Sequence, residues 1–210
     1  MDNLCNTYNP RIDNGLIIIA DISGFTNYIQ ATDIEHSQIN VAKLLEAIID
    51  ENELGLSVSE IEGDAVFFIR FDYAFSFFEL MNQIKKMAIK FHQVLKELSL
   101  NKSCKCGACS ILEKLKIKFI VHTGKIGTIM IKDYCKLFGI DIIIAHRLLK
   151  NNLSIDEYAL FTNKIIQKFN KEIKIIFPKD NLLLDSEIEY ENIGRIKYHY
   201  MALNSLNINL

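Results

Sequence analysis

The tightest constraint on the fold is a short run, Leu16-Ile17-Ile18-Ile19-Ala20, apolar at every position and mostly β-branched. It follows the turn signal Asp13-Asn14-Gly15 and stops at Asp21. A run of this length and composition reads as a fully buried strand, because an exposed face would demand polar residues at alternate positions. Such a strand carries Asp21 to its C-terminal end.

The rest of the chain alternates between the two periods. Ser23-Gly24 opens a helix, and a second helix is expected from about Asp33, where Ile39, Ala42, Leu45, Ile48 and Ile49 recur at helical spacing until Gly55. Residues 56–62 and 65–71 read as strands joined by a tight Gly63-Asp64 turn, which puts Asp64 at a hairpin tip. Residues 73–98 predict one long amphipathic helix whose aromatic residues face the core. Residues 101–110 form a polar, cysteine-rich loop, and 115–121 with 126–131 predict a hairpin around Thr123-Gly124-Lys125. A helix over about 140–150 follows. The stretch 158–206 mixes short strands with one short helix, interrupted by Pro178 and Asp180-Asn181. The order β-α-α-β-β-α-β-β-α-β predicts an α/β (α+β) fold, a ferredoxin-like βαββαβ sandwich with C-terminal additions.

Composition narrows the function classes. With 210 residues, half of them hydrophobic, the chain suffices for one good core. A single domain over 1–210 is expected, with its core at about 15–150 and an extension over 151–210. Lys and Arg number 24 against 26 Asp and Glu, so no basic field exists for gripping a nucleic-acid backbone, and no nucleic-acid partner is expected. No apolar run approaches the roughly 20 residues that cross a bilayer, and the first residues lack a basic, apolar leader, so the expectation is a cytoplasmic protein without membrane contact. Five cysteines without an export signal suggest reduced thiols or a metal. Cys104, Cys106 and Cys109 lie within six residues among lysines that favour thiolate; they are a candidate zinc site lacking a fixed fourth ligand, or else redox-sensitive or simply reduced thiols.

Four strings carry a family resemblance. Ala20-Asp21-Ile22-Ser23-Gly24-Phe25-Thr26 resembles the first signature of class III adenylate and guanylate cyclases, and Glu62-Gly63-Asp64-Ala65 resembles the second, about forty residues later. Residues 115–124, ending in His122-Thr123-Gly124, look like the central strand of that family and its turn, and residues 138–148 look like its dimer-arm helix. Together they cover about 16–150 in the family's order.

The resemblance implies a nucleotide cyclase-like domain that converts a purine nucleoside triphosphate to its 3′,5′-cyclic monophosphate and pyrophosphate, at a site shared within a homodimer. It assigns Asp21, Asp64 and the carbonyl of Ile22 to two Mg²⁺ or Mn²⁺ ions, which suits the preference of these ions for hard oxygen ligands. Ser23, Gly24, Phe25 and Thr26 would hold phosphates through backbone amides at a helix start. Arg147 would reach the reacting phosphates of the other subunit. Beside it, Ile143 stands where the family has Asn, and losing one such donor costs on the order of 10²–10³ in rate elsewhere. A catalytically weak or inactive regulatory module, binding nucleotide or a protein partner, is therefore the alternative reading.

The base-recognition positions hold Glu60 and Lys136, reversing the charge order of adenylate cyclases. Glu60 can accept from guanine N1-H and N2-H while Lys136 donates to O6, which favours GTP over ATP. The same two residues also suit a simple cross-strand salt bridge. Arg195 and Lys197 occupy the region of the family's last catalytic lysine, where a solvated charge on a hairpin is the plainer reading.

Overall fold

The computed structural model describes residues 12–100, 111–177 and 182–206. Strand β1 (Ile12–Ser23) is followed by α1 (Phe25–Gln30), α2 (Ile34–Asp50), β2 (Ser57–Glu62), β3 (Ala65–Arg70), α3 (Phe77–Leu100), β4 (Lys116–Ile131) and β5 (Tyr134–Phe138). Then come α4 (Ile140–Leu148), β6 (Tyr158–Thr162), α5 (Asn163–Lys168), α6 (Asn170–Ile176), β7 (Leu184–Tyr190) and β8 (Gly194–Ala202). The eight strands among the described residues belong to one sheet of order β2-β3-β1-β4-β6-β8-β7, with β5 paired to β4. β1 lies between β3 and β4 and is antiparallel to both, which is the expected ferredoxin-like βαββαβ arrangement; β6 to β8 extend the same sheet.

β1 is apolar on both sides because two cores meet it. Leu16, Ile18, Ala20 and Ile22 pack under α2 and α3, with Leu44, Ile48, Ile84 and Phe91. Ile17 and Ile19 face the other way, onto Ala145 and Leu148 of α4 and Leu160 of β6. Helices α2 and α3 bury the stripes that their spacing predicts, with Val41, Leu44, Leu45 and Ile48 on the first and Leu80, Ile84, Met87, Ala88 and Phe91 on the second. At about 25 cal/mol per Å² of apolar surface, the completely buried Ile, Leu and Phe side chains contribute roughly 1.5–3 kcal/mol each, which makes β1 the stable spine of the molecule.

Four expectations are corrected. Asp13-Asn14-Gly15 is not a turn: β1 already begins at Ile12, and Gly15 pairs with Gly124 of β4. For the same reason Thr123-Gly124-Lys125 is not a hairpin tip, since twelve consecutive residues of β1 hold β4 extended across it. The chain reverses instead at Lys132-Asp133, with Lys132 at φ 55°, to form a β4–β5 arm. The long helix starts at Phe77, after Asp72 and Ser76 have engaged nearby groups, Asp72 the amide of Ala74 and Ser76 the carboxylate of Glu79. The C-terminal stretch carries two short helices, α5 and α6, meeting at Phe169. Among the described residues, no helix is long and apolar enough to cross a membrane.

Candidate functional site

Asp21 reaches its position by strand register. It pairs with Ala65 of β3 on one side and Lys118 of β4 on the other. Asp64 follows Gly63, whose φ of 60° makes the tight β2–β3 turn, and its carbonyl accepts the amide of Ile22 at 3.2 Å. That single hydrogen bond fastens the hairpin tip to the end of β1. Asp21, Asp64 and Lys118 then line one open cavity of about 420 Å³ with the turn at Ser23 to Thr26 and with Lys150. Gly24 sits at φ 88°, a left-handed conformation that a side chain at this position would strain, and it swings the chain from β1 directly into α1.

The electrostatics of the cavity are asymmetric. The Lys118 ammonium donates to Asp21 Oδ2 at 2.8 Å. Burial works against the charge on Lys118, yet the Asp21 carboxylate beside it holds the lysine above its ordinary range. Asp64 receives less help. Burial, reinforced by repulsion from Asp21, pushes its carboxyl from 3.8 up to about 6. Two acids thus share a cavity whose one ion-paired ammonium, Lys118, lies against only one of them.

Sequence reasoning missed Lys118. It is an internal cation held against Asp21, while Asp64 still feels the repulsion of its neighbour. The alternation Lys116-Ile117-Lys118 marks Lys118 as facing away from Ile117, but only the pairing with β1 shows that it meets Asp21.

The remaining expected residues lie on another part of the same chain. A β-bulge between Val58 and Glu60 of β2 brings Glu60 opposite Phe67, on the face covered by α4. There Glu60 accepts from Lys136 at 3.2 Å, so the two residues proposed from sequence do meet. His146 stacks on Phe67 with ring centroids 4.4 Å apart and brings Nε2 to 3.7 Å from Glu60. Arg147, at the end of α4, is exposed and does not line the Asp21 and Asp64 cavity. Ile143, one turn earlier, is also exposed. Cys104, Cys106 and Cys109 lie outside the described residues, and no cluster of three metal-ligating side chains occurs among the described ones.

Known structures share this architecture. The adenylyl cyclase CyaB from P. aeruginosa superposes with a TM-score of 0.66, covering 92% of this chain and 96% of its own at 12% identity. The guanylyl cyclase Cya2 gives 0.65, with 91% and 92% covered and 12% identity. The guanylate cyclase domain of RhGC from Catenaria anguillulae, solved in complex with GTP, gives 0.59, with 91% and 98% covered and 13% identity. These likenesses establish the fold as that of class III adenylyl and guanylyl cyclase catalytic domains. By sequence, the chain is 29% identical over 164 residues to the uncharacterized protein Rv2561/Rv2562 of Mycobacterium tuberculosis, spanning 78% of this chain and 73% of that protein. The profile of a family described as protein of unknown function (DUF2652) matches residues 41–158, more than half of the chain, and the chain belongs to that family, built on the class III cyclase fold.

Proposed function

We propose that this chain is a divalent-metal-dependent nucleotide cyclase domain, which closes a purine nucleoside triphosphate to its 3′,5′-cyclic monophosphate and releases pyrophosphate. The observation that carries the proposal is the convergence of Asp21 and Asp64 on one cavity, with Asp64 driven up to about 6. A carboxyl in that condition gains most from a cation, and hard oxygen donors suit Mg²⁺ or Mn²⁺. Asp21, Asp64 and the carbonyl of Ile22 would hold the metal, which supplies activation of the 3′ hydroxyl and neutralises charge on the leaving pyrophosphate.

The chain's own residues do the rest. Backbone amides from Ser23 to Thr26 orient the triphosphate, and Gly24 lets it approach the main chain. Lys118 and Lys150 neutralise phosphate oxygens, Lys118 by exchanging its partner Asp21 for the substrate. Glu60 and Lys136 read the base, and their pairing at 3.2 Å presents an acceptor beside a donor, the pattern that guanine complements. ATP bound more tightly than GTP would count against that preference.

Arg147 acts from a second copy of the chain. Supporting that arrangement, the β4–β5 arm and the start of α4 expose Ile129, Ile131, Tyr134, Phe138, Ile140 and Ile143, an apolar strip suited to a homodimer contact. The decisive experiment incubates the purified protein with GTP or ATP and Mn²⁺ and resolves the products by chromatography, with Asp64→Ala as the control. Cyclic product that disappears in the control supports the reading; no product from either nucleotide refutes it.

A further inference from the structure

Asp21 occupies one end of the β1–β4 ladder, and a second and larger cavity, about 730 Å³, occupies the other. Its wall residue Thr123 pairs with Leu16, five residues before Asp21, so the two cavities are separated by about 17 Å along the strand. No step of the proposed cyclase chemistry uses this second cavity. We infer that it binds a small phosphorylated aromatic compound of the nucleoside monophosphate class, on Lys125, Lys164 and Lys168 for the phosphate and on Phe71 and Tyr73 for the ring.

The floor of the cavity is a buried polar network. Asp141 of α4 is only 4% exposed and accepts from His122 Nε2 at 2.9 Å, from Lys164 Nζ at 2.5 Å and from the Lys125 amide at 2.8 Å. His122 in turn bonds Thr162 at 2.9 Å through Nδ1. With those donors the Asp141 carboxylate is saturated and held well below the usual carboxylate range, burial being outweighed by His122 and Lys164. Its function toward the cavity is to fix Lys164 at the mouth. Close approach of Asp141 to the strand depends on Gly124, where an added Cβ would lie 2.0–2.3 Å from the carboxylate atoms.

The walls are equally fixed. The Tyr73 hydroxyl bonds Thr123, which also donates to the carbonyl of Gly15 at 3.0 Å. Lys168 rests its ammonium 3.6 Å from the centre of the Tyr73 ring, within cation–π range. Three lysines from two elements therefore line the cavity together with two aromatic residues, while the buried acid Asp141 is already committed. Asp13 and Asn14 at the rim provide acceptors for ribose hydroxyls. The volume falls within the range of small-molecule sites, and the combination of clustered cations with flat apolar faces matches a phosphate joined to a base.

The test titrates the full chain, in EDTA, with AMP, GMP and inorganic phosphate and follows binding by calorimetry. EDTA removes the divalent ions on which the Asp21 and Asp64 site depends. The expected result is saturable binding of AMP or GMP in the submillimolar range, with phosphate alone weaker. Lys168→Glu and Lys125→Glu, both at exposed positions, should each weaken binding by about tenfold or more, while Asp64→Asn leaves it unchanged. Absence of saturation by either nucleotide overturns the proposal, and so does binding that Asp64→Asn abolishes and Lys168→Glu spares. Inorganic phosphate binding as tightly as the nucleotides overturns the aromatic part of the assignment.

Discussion

Replacing Asp64 by asparagine should stabilise the metal-free protein at neutral pH, although it removes a residue central to the proposed chemistry. The Asp64 carboxyl titrates at about 6 when folded against 3.8 unperturbed. A group whose folded value is raised binds its proton more tightly in the folded chain, so stability falls as pH rises through the window from about 4 to 6 and the penalty is complete above it. At full weight such a shift corresponds to ~3 kcal/mol, and solvent screening of this partly exposed carboxyl reduces it to about 1–2 kcal/mol. The asparagine amide carries no charge to desolvate and none to repel Asp21. Denaturant unfolding in EDTA should therefore show a gain of about 1–2 kcal/mol, or a few degrees in Tm, that vanishes below about pH 4. Mg²⁺ added at neutral pH should stabilise the natural protein and leave the variant unmoved. A variant less stable than the natural protein at neutral pH, or a difference independent of pH, would refute the reasoning.

Lys118→Met leaves Asp21 and Asp64 without their internal ammonium; unfolding in EDTA should show a loss of about 1–3 kcal/mol, substantially restored by millimolar Mg²⁺. Gly124→Ala drives a methyl into the Asp141 carboxylate and should cost about 2–4 kcal/mol by thermal melting, whereas Gly63→Asn, at a left-handed turn with open space around it, should cost under about 1 kcal/mol. Arg147→Ala and Asp64→Ala, each inactive alone, should regain cyclase activity when mixed, because a heterodimer rebuilds one intact site; a mixture as inactive as its parts refutes the shared-site arrangement.

The sequence shows Asp21 and Asp64 plainly because each is punctuation: one ends an apolar run, and the other follows a glycine between two strand-like segments. Helices α2 and α3 are legible for the same reason, since their apolar stripes have a single period. The β4 strand is not. Thr123-Gly124-Lys125 has turn composition, but the bare Cα of Gly124 serves the approach of Asp141, a contact made by a helix that begins sixteen residues later. Lys118 and His146 were illegible as site residues because their roles come from register and stacking across elements, which no local pattern records. The bulge that turns Glu60 toward Lys136 is likewise a product of pairing with β3. In the C-terminal stretch, short elements without a sustained period hid the division into α5 and α6.

The double burial of β1 bears on what relatives of this chain must retain. Register in a strand is normally set by one oily and one polar face, but a strand oily on both faces could slide by a residue at little cost. Here the Asp21–Lys118 ion pair at one end and the Gly15–Gly124 crossing at the other pin it. Asp21 thus contributes to strand register whether or not anything is catalysed, and descendants that have abandoned chemistry have a structural reason to keep it. Asp64, which weakens the bare fold, has no such reason to persist, and its retention is the better mark of a lineage that still binds a cation.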